Sequence, residues 1–253
     1  MSDFNHLRNK KSIITGGNKG IGRDIALAFA KLGTHVIISG RDEAALIQTT
    51  KQMQQYQPQC SYVASDISSV DSIFYMVDEA VSRMGGIDVL VNNAGINIAK
   101  PALEVTEVDW DRVLDTNLKG SFFCSQRAGK YMTEQRSGRI INIASQMAFV
   151  GYRDRAAYCS SKGGVVQMTK ALAVEWAKYQ VKVNAVAPTF IETELTTGMF
   201  KDESFKTDVL SRIPLGSLAQ SSDVTGAVIF LASDMANFIT GETIKVDGGW
   251  TAI

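Results

Sequence analysis

Tyr158 and Lys162 stand four residues apart in Tyr-Cys-Ser-Ser-Lys, so on a helix they share one face, because 3.6 residues make a turn. A phenol with an ordinary pKa of about 10 is a poor base at neutral pH, and a neighbouring ammonium favours phenolate and draws that pKa toward the working range. Thirteen residues before the tyrosine, Ser145 closes a β-branched run and offers a hydroxyl to a substrate oxygen. Together the three groups can hold an oxygen atom and move a proton to or from it. Taken singly, each also has an ordinary structural reading: Tyr158 as a half-buried aromatic, Lys162 as a solvated helix charge, Ser145 as a cap.

A second chemical feature lies near the N-terminus. The segment Gly16, Gly17, Asn18, Lys19, Gly20, Ile21 and Gly22 follows a predicted strand and opens a predicted helix. Glycines let backbone approach a pyrophosphate, and the free N–H groups of a helix start attract the anion. The spacing is GxxxGxG rather than GxGxxG, so a plain tight turn is the competing reading. The end of the second predicted strand bears on the choice of dinucleotide, since an acid there would accept from the adenosine ribose hydroxyls. That place holds Gly40, followed by Arg41. With Lys19 in the glycine turn, two cations could converge on a 2′-phosphate and no carboxylate would repel it. The expectation is NADP(H) in preference to NAD(H); the competing reading makes Arg41 and Lys19 solvated surface charges.

Elements that position these residues follow from hydrophobic periodicity. Short β-branched runs alternate with longer amphipathic stretches, the pattern of βαβ units around a parallel sheet buried on both faces. Strands are predicted near Ser12–Thr15, His35–Ser39, Ser61–Ala64, Val89–Asn92, Arg139–Ile143, Lys182–Val186 and Thr243–Val246. Helices are predicted near Ile21–Leu32, Glu43–Gln54, Val70–Met84, Asp109–Glu134, Ala157–Lys178 and Ser222–Ala232. Start signals support several of them: Ser68 or Ser69 before an acidic turn, Thr106 with Asp109, and Ser222-Asp223 before an apolar run. The reading is one doubly wound α/β domain over residues 1–253, a Rossmann-type fold with a seven-stranded parallel sheet. Residues 194–220, mixed in polarity and interrupted by Pro214, are expected to form a flap over the cleft.

Composition excludes several other function classes. The chain has 253 residues with 26 Lys plus Arg against 26 Asp plus Glu, hence no formal net charge. That balance gives no basic face for nucleic acid or for an anionic membrane. Met1 to Lys11 is polar and mixed in charge, without a signal-peptide pattern, which points to the cytoplasm. Apolar runs such as Ile87–Val91 fall short of the roughly 20 residues of a spanning helix. The cysteines Cys60, Cys124 and Cys159 form no CxxC pair and read as small apolar side chains rather than metal ligands or nucleophiles. Cys159 stands out only for following Tyr158. No metal site is expected.

In its ordered set of motifs the chain resembles the short-chain dehydrogenase/reductase family over nearly its whole length. The matching residues are Thr15-Gly16-x-x-x-Gly20-Ile21-Gly22, Asp66, Asn92-Asn93-Ala94-Gly95, Asn117, Ser145, Tyr158-x-x-x-Lys162, and Pro188 with Thr193. The resemblance implies hydride transfer between a nicotinamide and a carbonyl or secondary alcohol carbon. It makes Tyr158 the general acid/base and Ser145 the residue that orients the substrate oxygen. Lys162 would bind the nicotinamide ribose and lower the tyrosine pKa, and Asn117 would hold a water in a proton relay to Lys162. Asp66 and Ile67 would flank the adenine, Asn92, Ala94 and Gly95 the ribose side, and Pro188, Ile191 and Thr193 the nicotinamide carboxamide. Thr189 departs from the pattern, which usually has glycine after the proline. The resemblance also implies a homotetramer, with Trp250 at an interface or a neighbouring cleft.

Between Ser145 and Tyr158 lies the segment expected to line the cleft mouth. Gln146, Arg153 and Arg155 fall there, and the two arginines could bind a carboxylate or phosphate through paired hydrogen bonds or remain surface charges. The motifs are similar to those of gluconate 5-dehydrogenase-like members acting on sugar acids such as gluconate or 5-ketogluconate. They are equally similar to those of 3-oxoacyl-carrier-protein reductases, and a broad ketone reductase fits the same layout. A hypothesis of another class, a regulatory protein that binds NADP(H) without turnover, should lack Tyr158 or Lys162; both are present.

Overall fold

The computed structural model describes residues 5–191 and 198–252. Seven strands, β1 Lys11–Thr15, β2 His35–Gly40, β3 Ser61–Ala64, β4 Val89–Asn92, β5 Gly138–Ile143, β6 Val181–Pro188 and β7 Thr243–Val246, form one sheet in the order β3-β2-β1-β4-β5-β6-β7. Every adjacent pair is parallel. This is the single-domain doubly wound sheet expected from the sequence.

Alternation along the strands explains the two layers. Ile14 and Ile38 join Ile25 and Phe29 of α1 (Gly20–Lys31), Leu46 of α2 (Glu43–Gln54) and Val228 of α8 (Ser221–Ala232) on one face. Their neighbours Ile13 and Ile37 point the other way, with Leu90 and Ile140, onto Ile73 and Met76 of α3 (Val70–Met84). Successive side chains of a strand face opposite sides, so a continuous apolar run covers both faces at once.

Chain order then dictates where a ligand can sit. From β1 the chain winds outward through β2 and β3, then crosses back to place β4 on the other side of β1. The crossovers on the two sides diverge and leave a crevice at the carboxyl ends of β1 and β4, where doubly wound folds take their ligands.

Several elements differ in their bounds from the sequence expectation, and the segment expected as a flap includes a helix. The long helix predicted over Asp109–Glu134 is split into α4 Glu107–Leu114, a π-helical turn over Asp115–Lys119 and α5 Gly120–Gln135. The Gly120 N–H reaches back to the Asp115 carbonyl, and Asn117 sits in the widened turn; such insertions cluster at functional sites. In the segment expected as a flap, residues 203–211 form α7 (Glu203–Ser211), started by Asp202 Oδ1 accepting from the N–H groups of Ser204 at 2.9 Å and Phe205 at 3.2 Å. Residues 194–197 of that segment, and Thr193, lie outside the described residues. Finally, α8 starts one residue before Ser222, with the Gln220 N–H donating to Asp223 at 2.8 Å. Ser69 and Thr106 do cap α3 and α4.

Trp250 is buried within its own chain, 6.0 Å from the ring of Tyr152 and 5.8 Å from that of Phe190. Phe205 of α7 stacks edge-on against Phe190 at 5.6 Å, so this aromatic cluster fastens α7 beside the crevice.

Candidate active site

A cleft of about 630 Å³ opens at the carboxyl edge of the sheet. At one end is the glycine turn. Gly16 has φ +64°, and a Cβ there would stand 3.0 Å from Ala94 Cα. At Gly22 a Cβ would come within 2.3 Å of both the Gly16 carbonyl and Asn93 Nδ2. Only glycine fits either place. Asn93 Nδ2 donates to the carbonyls of Thr15 (3.0 Å) and Gly16 (3.1 Å), while Thr15 Oγ1 accepts from the N–H groups of Asn93 and Ala94. The turn and the end of β4 are thereby fixed as one piece. Lys19 occupies the N-cap of α1 and makes no side-chain cap bond, so the first N–H groups of α1 remain open to an anion. A cradle with no room for Cβ atoms and an uncapped helix start fits a dinucleotide pyrophosphate.

Asn18, Lys19, Gly20, Ile21 and Arg41 all line this end of the cleft, as do Asp66 and Ile67. Asp66 Oδ1 accepts from the N–H (3.0 Å) and the hydroxyl (2.8 Å) of Ser68. Those bonds, with a lesser contribution from the Arg41 charge, hold its carboxyl below the usual range. A Cβ at Gly40 would lie 2.8 Å from Asn18 Oδ1.

At the other end Ser145, Gln146, Arg155, Tyr158 and Lys162 line the wall together with Pro188, Thr189 and Ile191. Ser145 follows β5, and Tyr158 and Lys162 lie on the first turns of α6 (Ala156–Trp176). Ser145 Oγ accepts from the Met147 N–H at 3.2 Å and donates to Gln146 Oε1 at 2.8 Å. Lys162 is 4 % exposed, donates to the Ile143 carbonyl at 2.7 Å, and stands 5.8 Å from the centre of the Tyr158 ring. Burial pulls its ammonium down to about 8.

The expected effect of Lys162 on the phenol is not what the fold produces. Burial pushes the Tyr158 pKa up, and the opposing influences are a hydrogen bond with Ser145 and the charge of Arg155. Desolvation disfavours phenolate and is the largest influence on Tyr158.

Several expected residues act from behind the cleft wall. Asn92 Nδ2 donates to Asn142 Oδ1 and Ser125 Oγ, both at 2.8 Å, in a buried network joining β4, β5 and α5. Asn117 is fully buried; its Oδ1 accepts from the Ile96 N–H at 2.8 Å, and its Nδ2 donates to the Ile96 carbonyl at 2.9 Å and to Ser161 Oγ at 3.0 Å. It clamps the loop after β4 to α6. Gly95 is where the two meet: a Cβ there would lie 3.2 Å from Asn117 Oδ1 and 3.5 Å from Lys162 Nζ.

Arg153 does not join the cleft. Its guanidinium lies 3.8 Å from Asp208 of α7 and over the Tyr152 ring, whereas Arg155 is 7 % exposed and faces inward. Lining residues not singled out for a role include Asn93, Ile96, Asn97, Met147 and Phe190. Asn93 belonged to a matched motif and Met147 to the segment expected at the cleft mouth; Ile96, Asn97 and Phe190 are brought in by the paths of the loops after β4 and β6. Cys60 and Cys124 are buried and Cys159 is half-buried.

Comparisons with known proteins agree with this fold. A family profile described as "Enoyl-(Acyl carrier protein) reductase" matches residues 16–251. The chain is 38 % identical over 247 residues to the 2-dehydro-3-deoxy-D-gluconate 5-dehydrogenase of Escherichia coli (strain K12), covering 97 % of each. It is 39 % identical over 243 residues to the 3-oxoacyl-(acyl-carrier-protein) reductase FabG of Staphylococcus aureus (strain N315), covering 95 % of this chain and 97 % of that one. Among solved structures, a gluconate 5-dehydrogenase from Burkholderia cenocepacia J2315 in complex with NADP and tartrate superimposes with a TM-score of 0.93 at 31 % identity, covering 99 % of both chains.

Proposed function

This chain belongs to the short-chain dehydrogenase/reductase family, and on that premise we propose that it is an NADP(H)-preferring oxidoreductase acting on a sugar acid. The chemistry that the cofactor supplies is hydride transfer between nicotinamide C4 and the substrate carbon. The protein aligns the substrate and carries the proton. Ser145 and Tyr158 hold the reacting oxygen, and in the reductive direction Tyr158 gives it the phenolic proton. A phenol pushed up by burial remains protonated at neutral pH, which suits that donation. Lys162, fixed by Ile143, binds the nicotinamide ribose and replenishes the tyrosine proton, with Asn117 at its back.

The observation that carries this reading is the convergence of Ser145, Tyr158 and Lys162 on the cleft whose far end is the glycine cradle. Preference for NADP(H) rests on Arg41 and Lys19 at that far end and on Gly40, where an acid would otherwise compete for the ribose. Ile67, Pro188 and Ile191 supply apolar contacts to the cofactor, and Thr193 is proposed for its carboxamide. The sugar-acid substrate is supported by the similarity to gluconate-type dehydrogenases and by Arg155 in the cleft wall. A second reading, reduction of 3-oxoacyl thioesters, is favoured by the equal similarity to FabG. We propose a cytoplasmic homotetramer, as the family resemblance implies. Among the described residues no helix is long and apolar enough to cross a membrane.

The test is turnover, followed by nicotinamide absorbance, across sugar acids, 3-oxoacyl thioesters and simple ketones with NADPH and NADH. Oxidation of NADPH by a keto sugar acid in preference to a 3-oxoacyl thioester supports the first reading. The reverse preference supports the second. Binding of NADPH with no turnover of any class would return the chain to a regulatory role.

A further inference from the structure

Asp154, beside the cleft, has a backbone that its side chain does not favour. Its φ is +58°, in the left-handed region that L side chains seldom adopt and that Asp and Asn tolerate best. Such outliers persist where surrounding contacts hold them, and they gather at functional sites. Here the contacts are to its carbonyl, which accepts from the Lys100 N–H at 3.2 Å and from Arg155 Nη1 at 3.1 Å. Lys100 ends the loop after β4, and its ammonium is paired with Asp109 of α4 at 2.6 Å. One oxygen therefore ties together the two loops that line the substrate end of the cleft. The second donor to it is a cation. Arg155 is buried, and among the described residues no carboxylate pairs with it. Its Nε and Nη2 are likewise without partners there but keep accessible surface, and Arg155 lines the cleft. Around it the described wall holds no acid: residues 93–97, 143–147 and 188–191 carry no charge, and Asp66 stands at the cofactor end. Lys162, the other cation, is already bonded to Ile143.

We propose that Asp154 is a positioning residue: its left-handed backbone fixes the Arg155 guanidinium at the substrate end of the cleft, where the open Nε and Nη2 edge receives the carboxylate of an acid substrate. This rests on the reading that the substrate is an acid. Those two nitrogens share one edge of the guanidinium and can donate in parallel to a carboxylate. Holding the cation in place before the ligand arrives removes part of the ordering cost of binding. The backbone carbonyl performs this task, while the side chain of Asp154 is exposed. The substitution that matters is therefore one that resists positive φ, as a β-branched residue does and Asn does not.

The test compares 5-ketogluconate with L-sorbose, which carry the same ketone and differ in a carboxylate against a hydroxymethyl group, by calorimetry on the NADP⁺ complex. The parent is expected to bind the acid at least about tenfold more tightly. Arg155→Met should bring that preference to near one. Asp154→Val should lose about threefold to tenfold of it, with NADP⁺ affinity changed less than about threefold. In the same variant the Lys100 amide should exchange with solvent much faster than in the parent. Asp154→Asn should keep both the preference and the protection. Added to Arg155→Met, Asp154→Val should change the preference no further, because the group it positions is gone. Asp154→Ala, less restricted than valine, should lie between, and it stands in if the valine variant does not fold. Three results overturn the inference: a parent that binds the two compounds alike or binds neither, an Asp154→Val with fast Lys100 exchange and full preference, or an Asp154→Asn as impaired as the valine variant. Turnover of both compounds with NADPH separates this from the reaction itself. Equal turnover of the two would leave the reaction and remove the carboxylate contact. Acid preference in binding without turnover of either would remove the reaction and leave the positioned arginine.

Discussion

The Lys162 ammonium donates a 2.7 Å hydrogen bond to the carbonyl of Ile143, the last residue of β5. A cation on α6 is thereby tied to the strand end that leads into Ser145, so the two sides of the cleft wall cannot separate without breaking a buried charge-assisted bond.

The same burial makes Lys162 a measurable site of stability. Its pKa is lowered from 10.5 to about 8 by desolvation, so between those values the unfolded chain binds more protons than the folded one. Stability from this group therefore rises with pH through that window. Relative to Lys162→Met, the parent should gain up to about 3 kcal/mol between about pH 8 and pH 10.5, taking 1.36 kcal/mol per unit. Urea denaturation of both proteins across that range measures it; a difference independent of pH would mean that Lys162 is not desolvated.

Tyr158→Phe keeps the ring and removes the proton. Turnover should fall by at least about a thousandfold, within the range assigned to general acid catalysis, while the dissociation constant for NADPH changes less than about threefold. Steady-state kinetics and fluorescence titration of the cofactor check the two halves. A variant with most of its activity would take Tyr158 out of the mechanism.

Arg41→Ala should weaken NADP(H) preference by about tenfold, the lower end for a charge-assisted pair because Arg41 is exposed. Adding Gly40→Asp places a carboxylate at the ribose and pushes Asn18 aside, since a Cβ at Gly40 already falls 2.8 Å from Asn18 Oδ1. The double variant should favour NADH. The kcat/KM values for both cofactors decide it: an unmoved ratio makes Arg41 a solvated charge.

Asn117→Ala removes three hydrogen bonds of a buried side chain, two of them to the Ile96 backbone. Leaving those groups unpaired should cost about 2–4 kcal/mol and loosen the loop that faces Lys162. Hydrogen exchange at Ile96, protected in the parent and fast in the variant, would show it. Unchanged exchange would mean the loop is held from elsewhere.

What the sequence by itself determined is what local pattern encodes. Alternating β-branched runs required a parallel sheet buried on both faces. The glycine spacing required a turn without Cβ atoms, as the 2.3 Å approach at Gly22 shows. The i, i+4 spacing put Tyr158 and Lys162 on one helix face. Tertiary structure decided what depends on neighbours distant in sequence. The π-turn at Asn117 was illegible because residues 109–134 keep a helical period through it; the fold widens the helix where Asn117 meets Ile96. Arg153 and Arg155 look alike in sequence, but α7 draws one out to Asp208 while the other is buried in the cleft. The tyrosine's neighbour in sequence suggested a lowered pKa, yet burial, a property of the whole assembly, moves it the other way. Spacing sets which groups can meet; only packing sets the dielectric around them and which partners remain unpaired.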